Sequence, residues 1–282
     1  MRRRFIFGGK RALAGMLLGS LMLLLSACAS DPAPSTESSG QPLPSSAEKK
    51  VEVIVSAAAS LKTSLEETGR RFEAEFPNVT LRFNFGGSGS LGQQLEQGAP
   101  VDLFVSAATE PMDRLVEKGI VQSDAVQLMF RNALVLIEPA GEQNVKQLSD
   151  LLKPDVRVLA VGQPDTVPAG EYAKEALQHE GLWEEVESKA VYAKDVTQVL
   201  AYVESGNADA GFVYKTDLKN SAKAVLALEV DPDKHQPIEY PAAVPADAKH
   251  PQEAKALLEF MRKPEIRDIF TEAGFEVVEA SP

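Results

Sequence analysis

Residues 51–61 read Val-Glu-Val-Ile-Val-Ser-Ala-Ala-Ala-Ser-Leu, and their character changes halfway. The β-branched run over residues 51–56 suits a buried strand. Leu61, Leu65, Thr68, Phe72 and Phe76 then fall at helical spacing. A strand handing over to a helix is the unit of α/β folds, and here it recurs. Val79, Leu81, Phe83 and Phe85 alternate with Thr80, Arg82 and Asn84, as in a half-buried strand. A helix over 91–96, a strand over 102–106 and a helix over 111–118 follow. Further apolar runs predict strands at 133–137, 156–161, 210–214 and 225–228, with helices at 170–179, 196–204 and 254–261. This order predicts largely parallel sheets. No 20–50-residue period repeats, which excludes a solenoid. The body from Val51 onward has 232 residues, more than the usual domain of about 100–150, so two lobes are expected.

Upstream the composition differs. Arg2, Arg3, Arg4, Lys10 and Arg11 precede a mostly apolar run over residues 12–25, which leads into Leu25-Ser26-Ala27-Cys28. That run is shorter than the roughly 20 residues a membrane span requires. A basic end, a short apolar core and small residues before a boundary describe a secretory signal over residues 1–27. Leu-Ser-Ala-Cys is similar to a bacterial lipobox, whose cysteine becomes the lipidated first residue of the mature chain. An ordinary signal peptide with an incidental cysteine, or a short anchor, are the other readings. Cys28 is the only cysteine, which favours lipidation there and excludes intrachain disulfides and thiolate metal clusters. Residues 28–50 are rich in Ser, Pro and Glu with one large apolar residue, Leu43. Such a segment reads as a disordered, semi-extended linker. The expected location is therefore extracytoplasmic, with a lipid anchor at the membrane.

The chain carries 29 Lys+Arg, 41 Asp+Glu and a formal charge of −12. Residues 1–27 hold five of those cations and no acid, so the remainder has 24 cations against 41 acids, or −17. That balance argues against nucleic acid as a partner and against adsorption to anionic lipid through a basic patch. At long range it also opposes an anionic ligand.

Strand-to-helix junctions are where α/β folds gather ligands. At the first, 57–61, Ser60 sits where a helix N-cap belongs. The second, Phe85-Gly86-Gly87-Ser88-Gly89-Ser90-Leu91, can form an anion nest at a helix start, though it fits neither the phosphate P-loop nor the dinucleotide fingerprint. In the third, 161–172, Pro168 stands near a helix start and leaves the amide of Ala169 free to face a ligand. In the fourth, Asp195 and Gln198 form a D-x-x-Q capping box, with the Val196 amide facing the cleft. Finally, Tyr214 places a hydroxyl at the tip of an apolar strand. Each feature taken singly also reads as plain structure: a cap, a turn, a Pro-started helix, a packed aromatic.

Together the stretches A-A-A-S-L (57–61), G-G-S-G-S-L (86–91), G-A-P-V-D-L-F (98–104) and V-G-Q-P-D-T-V-P-A-G-E-Y-A-K-E-A-L (161–177) resemble a known family. A-K-D-V (193–196), G-F-V-Y (211–214) and E-Y-P-A-A-V (239–244) agree with it too. The chain is similar to the molybdate-binding proteins of bacterial molybdate ABC importers, in lipoprotein form, over essentially the whole body. The resemblance implies an α/β, two-lobed periplasmic-binding-protein fold (type II-like). Each lobe would be a mostly parallel sheet flanked by helices, with the ligand in the interlobe cleft. Lobe 1 would comprise residues 51–130 and 239–282, and lobe 2 residues 131–238. Carried over position by position, the oxyanion-binding groups are the hydroxyls of Ser60 and Ser88, the amides of Ala169 and Val196, and the hydroxyl of Tyr214. Gly87 and Gly89 stand where some relatives have serines. The resemblance also implies molybdate or tungstate as ligand, no cofactor, no direct metal ligands, a monomer, and a membrane permease with its ATPase as partners.

The chemistry is coherent with those positions. Molybdate is a dianion with four acceptor oxygens and no proton near neutral pH, so a pocket of donors suits it. Each helix start contributes roughly half a positive charge without a titratable group. Sulfate has the same charge and shape but is smaller, and remains an alternative. A secreted α/β enzyme is the other class. Against it, His179, His235 and His250 lie in no nucleophile motif and no H-E-x-x-H.

Overall fold

The computed structural model describes residues 50–141, 144–219 and 221–279. The signal over 1–27, the lipidation site Cys28 and all of the linker but Lys50 lie outside the described residues. Among these, no helix is long and apolar enough to cross a membrane.

The chain opens with β1 (Val51–Ala58), α1 (Lys62–Glu75), β2 (Val79–Gly86), α2 (Ser88–Glu96), β3 (Leu103–Val105) and α3 (Thr109–Glu117). Next come β4 (Gln127–Arg131) and β5 (Leu134–Pro139), separated only by Asn132 and Ala133. The middle holds β6 (Leu159–Gly162), α4 (Pro168–His179), α5 (Trp183–Val186), β7 (Ala190–Ala193), α6 (Val196–Glu204), β8 (Ala210–Tyr214), α7 (Lys215–Leu218) and β9 (Ala224–Glu229). Then follow β10 (Glu239–Ala243), α8 (Pro251–Phe260), α9 (Pro264–Ala273) and β11 (Glu276–Val277).

Two sheets result. One has the order β11-β4-β10-β3-β1-β2, the other β7-β6-β8-β5-β9. β1 lies inside the first sheet, parallel to β2 and β3, and its Val53, Val55 and Ala57 are buried. β2 is an edge strand, which explains the alternation of Leu81, Phe83 and Phe85 with exposed polar residues. α1 covers the sheet with Leu65, Thr68 and Phe72.

The sheets are mixed rather than mostly parallel. Among the described residues, only β1 with β2 and β3, and β6 with β7 and β8, pair in parallel. β10 is antiparallel to β3 and β4, β11 to β4, and β5 to β8 and β9. The parallel pairs are those joined through helices, as parallel neighbours require. The antiparallel ones involve strands at the two passages between sheets, where the chain moves on without a covering helix. β4 runs into β5 across Asn132 and Ala133, and the chain returns between β9 and β10.

These passages rest on an aromatic base. Phe130 stacks on Phe270 at 4.3 Å between ring centroids, and Tyr240 meets Phe275 edge-on at 5.4 Å. Tyr214, from the second sheet, packs edge-on against Tyr240 at 5.9 Å. A strand end of each lobe is thus held against the same group.

Candidate functional site

Six strand-to-helix junctions converge on one cavity. Its wall includes Ser60, Gly87, Ser88 and Ala107 from the first lobe and Ala169, Asp195, Val196 and Tyr214 from the second. All five residues singled out from sequence, Ser60, Ser88, Ala169, Val196 and Tyr214, are therefore brought together. The cavity is small: it leaves about 10 Å³ for the centre of a water-sized sphere. That is the scale of one water, so the two lobes are drawn in tightly around the donors.

The two serines are held by different means. Ser88 is the first residue of α2, and its Oγ accepts the Ala107 N–H at 2.8 Å. The acceptor side of that hydroxyl is thereby used, leaving its proton for a ligand. Ser60 departs from the capping expectation. It lies inside a short 3-10 turn, Ala59–Leu61, and neither that turn nor α1 has a side-chain cap. Its Oγ instead lies 3.0 Å from Tyr240 Oη. The turn supplies the local backbone geometry, which frees the hydroxyl for a partner distant in sequence.

In the second lobe, Pro168 opens α4 at its first position. The next amide, that of Ala169, has no protein acceptor among the described residues, whereas Gly170 N–H bonds Val167 O at 2.8 Å. α4 is pressed onto the end of β6: a Cβ on Gly170 would lie 1.9 Å from Gly162 O. Only glycine lets the helix start this close to the strand.

α6 starts at Val196, whose amide likewise has no protein acceptor among the described residues. Asp195 caps this helix, its Oδ1 accepting Gln198 N–H at 2.8 Å. The expected capping box is displaced by one residue, because Gln198 Oε1 accepts the Lys194 N–H, not that of Asp195. Asp195 is the one acid on the wall, no Lys or Arg joins it, and one of its oxygens is committed to the cap.

Tyr214 ends β8 and is buried, and its hydroxyl has no protein partner among the described residues. Desolvation holds the phenol well above its ordinary pKa. It therefore stays a protonated donor across the physiological range.

The lobes also touch directly. Thr166 O accepts from Gly89 N–H at 3.1 Å and from Ser90 N–H at 3.4 Å. A Cβ on Gly87 would lie 2.6 Å from Thr166 O and 3.0 Å from Lys194 O. The two glycines thus make room for the opposite lobe's backbone. The extra hydroxyls that serines would bring have no space here.

Asn132 and Tyr240 belong to the site's support and were not among the residues singled out from sequence. Asn132 lies in the first passage between the sheets and Tyr240 in β10, just after the second, and the contact of Tyr240 with Ser60 joins residues far apart in sequence. None of the three histidines lines the cavity. His250 N–H bonds Asp102, and His235 Nδ1 meets Gln236 O at 2.7 Å. No group of three or more His, Cys, Asp or Glu fit to hold a metal exists among the described residues.

Known proteins of the same kind are readily found. A family described as bacterial extracellular solute-binding proteins matches residues 53–276. YvgL of Bacillus subtilis, provisionally named an ABC transporter substrate-binding lipoprotein, is 42% identical over 81% of this chain and 87% of its own length. The molybdate-binding protein ModA of Escherichia coli is 34% identical over 80% of this chain and 89% of its own. Among solved structures, the substrate-binding domain of a transporter from Clostridium difficile, provisionally assigned to molybdenum, is 42% identical. It aligns with a TM-score of 0.62 over 81% of this chain and 99% of that one.

Proposed function

The chain belongs to the bacterial extracellular solute-binding proteins, and from that premise we propose that it captures molybdate, and tungstate, outside the cytoplasm for an ABC importer. The observation that carries this reading is the donor set of the cavity. Serine hydroxyls, unengaged helix amides and an unpartnered buried tyrosine hydroxyl converge from both lobes on a space of a few atoms. The starts of α2, α4 and α6 add positive potential without a counter-charge whose burial would be costly. A small tetrahedral dianion matches that set in charge and hydrogen-bonding sense.

The chain's own acidity does not contradict this reading. Net charge acts over the distance of approach and is screened by salt, whereas amides and hydroxyls act at contact. With the lobes in contact the donor set is complete, and opening about the passages at 132–133 and 230–238 would admit and release the ion. The closed form is the one a permease with its ATPase would read. The site carries out no reaction in this account: the ion is bound and handed on unchanged.

Calorimetric titration of the purified protein with molybdate, tungstate, sulfate and phosphate tests the reading. Saturable one-to-one binding of the first two, tighter than either competitor, is expected. A preference for sulfate would reassign the ligand, and no heat with any oxyanion would end the proposal.

The anchor is proposed separately, from the position of the only cysteine. Cys28→Ser should move the protein from the membrane fraction to the soluble one. Unchanged fractionation would remove lipidation from the picture.

A further inference from the structure

We propose that Tyr240 and Asn132, neither of which lines the cavity, are positioning residues that fix the Ser60 hydroxyl as a donor to the ion. The inference rests on the oxyanion reading above and adds to it how the polarity of one ligand group is set.

The direction of each hydrogen bond follows from a fixed starting point. Ala133 N–H is a donor, and it bonds Asn132 Oδ1 at 2.9 Å. That contact orients the amide, so Nδ2 faces the other way with two protons to give. One goes to Thr216 Oγ1 at 2.9 Å and the other to Tyr240 Oη at 3.2 Å. Tyr240 Oη therefore accepts from Asn132, and its single proton has one acceptor within reach, Ser60 Oγ at 3.0 Å. Ser60 accepts from Tyr240, and its own proton is left for the cavity. Tyr240 is fully buried, and desolvation keeps its phenol protonated, so the chain of donors does not reverse with pH.

The relay also has a place in the fold. Asn132 lies in the first passage between the sheets, Tyr240 near the start of β10 just after the second passage, and Thr216 in the lobe opposite Ser60. The group that sets the hydroxyl is the group about which the lobes are joined. A ligand that needs an acceptor at this point, such as hydrogen phosphate with its one P–OH, finds a donor there instead. Fully deprotonated oxyanions do not meet that conflict.

Two substitutions test the relay by the ratio of molybdate to hydrogen phosphate affinity at pH 8, where both are dianions. Asn132→Asp replaces the donor with an acceptor, so Tyr240 turns its proton toward residue 132 and takes that of Ser60. The ratio should fall at least tenfold, the factor one reversed hydrogen bond represents. Added negative charge weakens both dianions and leaves the ratio alone. Tyr240→Phe removes the proton source without adding charge. It should fold with a lowered Tm, since Asn132 Nδ2 loses an acceptor, bind molybdate roughly tenfold more weakly, and also lower the ratio. A wild-type ratio in Tyr240→Phe, or in a folded Asn132→Asp, would overturn the relay while leaving the oxyanion reading in place. Wild-type protein that binds no molybdate would instead remove the reading on which it rests.

Discussion

Gly87→Ala should weaken oxyanion binding by roughly 5- to 150-fold while leaving the ligand-free protein as stable as before. The methyl group would meet Thr166 O at 2.6 Å, Val167 Cγ2 at 2.9 Å and Lys194 O at 3.0 Å. All three belong to the opposite lobe, and two are backbone atoms that cannot rotate away. Overpacking of this kind costs about 1–3 kcal/mol, which corresponds to the stated factor when it falls wholly on the closed state. Gly87 itself has ordinary extended angles, φ −67° and ψ 131°, so alanine imposes no local backbone strain. In a ligand-free form with the lobes parted, as the proposed mechanism requires, the added methyl would leave Thr166 and Lys194 behind. The ligand-free Tm should therefore move by no more than about 2 °C, the shift of roughly half a kcal/mol in a body of this size. Calorimetry for affinity and a thermal melt for stability separate the two terms. Equal affinity in the variant would show that the lobes need not approach this closely, and a large fall in Tm would make the glycine a folding requirement.

Much of this site could be read from sequence because helix starts are written locally. Pro168 before Ala169 and Asp195 before Val196 state where a helix begins, and the beginning of a helix is where its amides are free. The strand-to-helix alternation likewise placed both serines at the ends of strands, where ligands collect. What could not be read is what depends on distant partners. Ser60 carries the signature of a cap, yet its hydroxyl is bound by Tyr240, 180 residues away. Sheet direction failed for the same reason. Strand order in sequence predicts parallel pairing only where a helix returns the chain, and β5 and β10 are placed by the passages between lobes. The glycines of the 86–89 turn show the point most clearly. Their sequence reads as an anion nest, whereas two of them serve the approach of Thr166.

Tyr214→Phe should lower oxyanion affinity by roughly 10- to 150-fold and yet leave the ligand-free protein unchanged or slightly more stable. The two effects part because the hydroxyl is buried with no protein partner among the described residues. In the folded, ligand-free chain it gives up hydration without a compensating bond, and a phenyl ring of the same shape has nothing to lose. Bound to a dianion, the same hydroxyl makes a charge-assisted hydrogen bond, of about 1.5–3 kcal/mol, which sets the expected factor. Ser88→Ala provides the internal contrast. Its Oγ accepts the N–H of buried Ala107 at 2.8 Å. Losing it strands that donor, so stability should drop by about 1–3 kcal/mol together with affinity. Denaturant melts and calorimetric titrations on both variants give the comparison. If Tyr214→Phe destabilised the free protein as Ser88→Ala does, its hydroxyl would have a structural partner and would not be held in reserve for an ion. If the phenylalanine variant bound molybdate as tightly as wild type, Tyr214 would contribute to the wall of the cavity and not to its donor set.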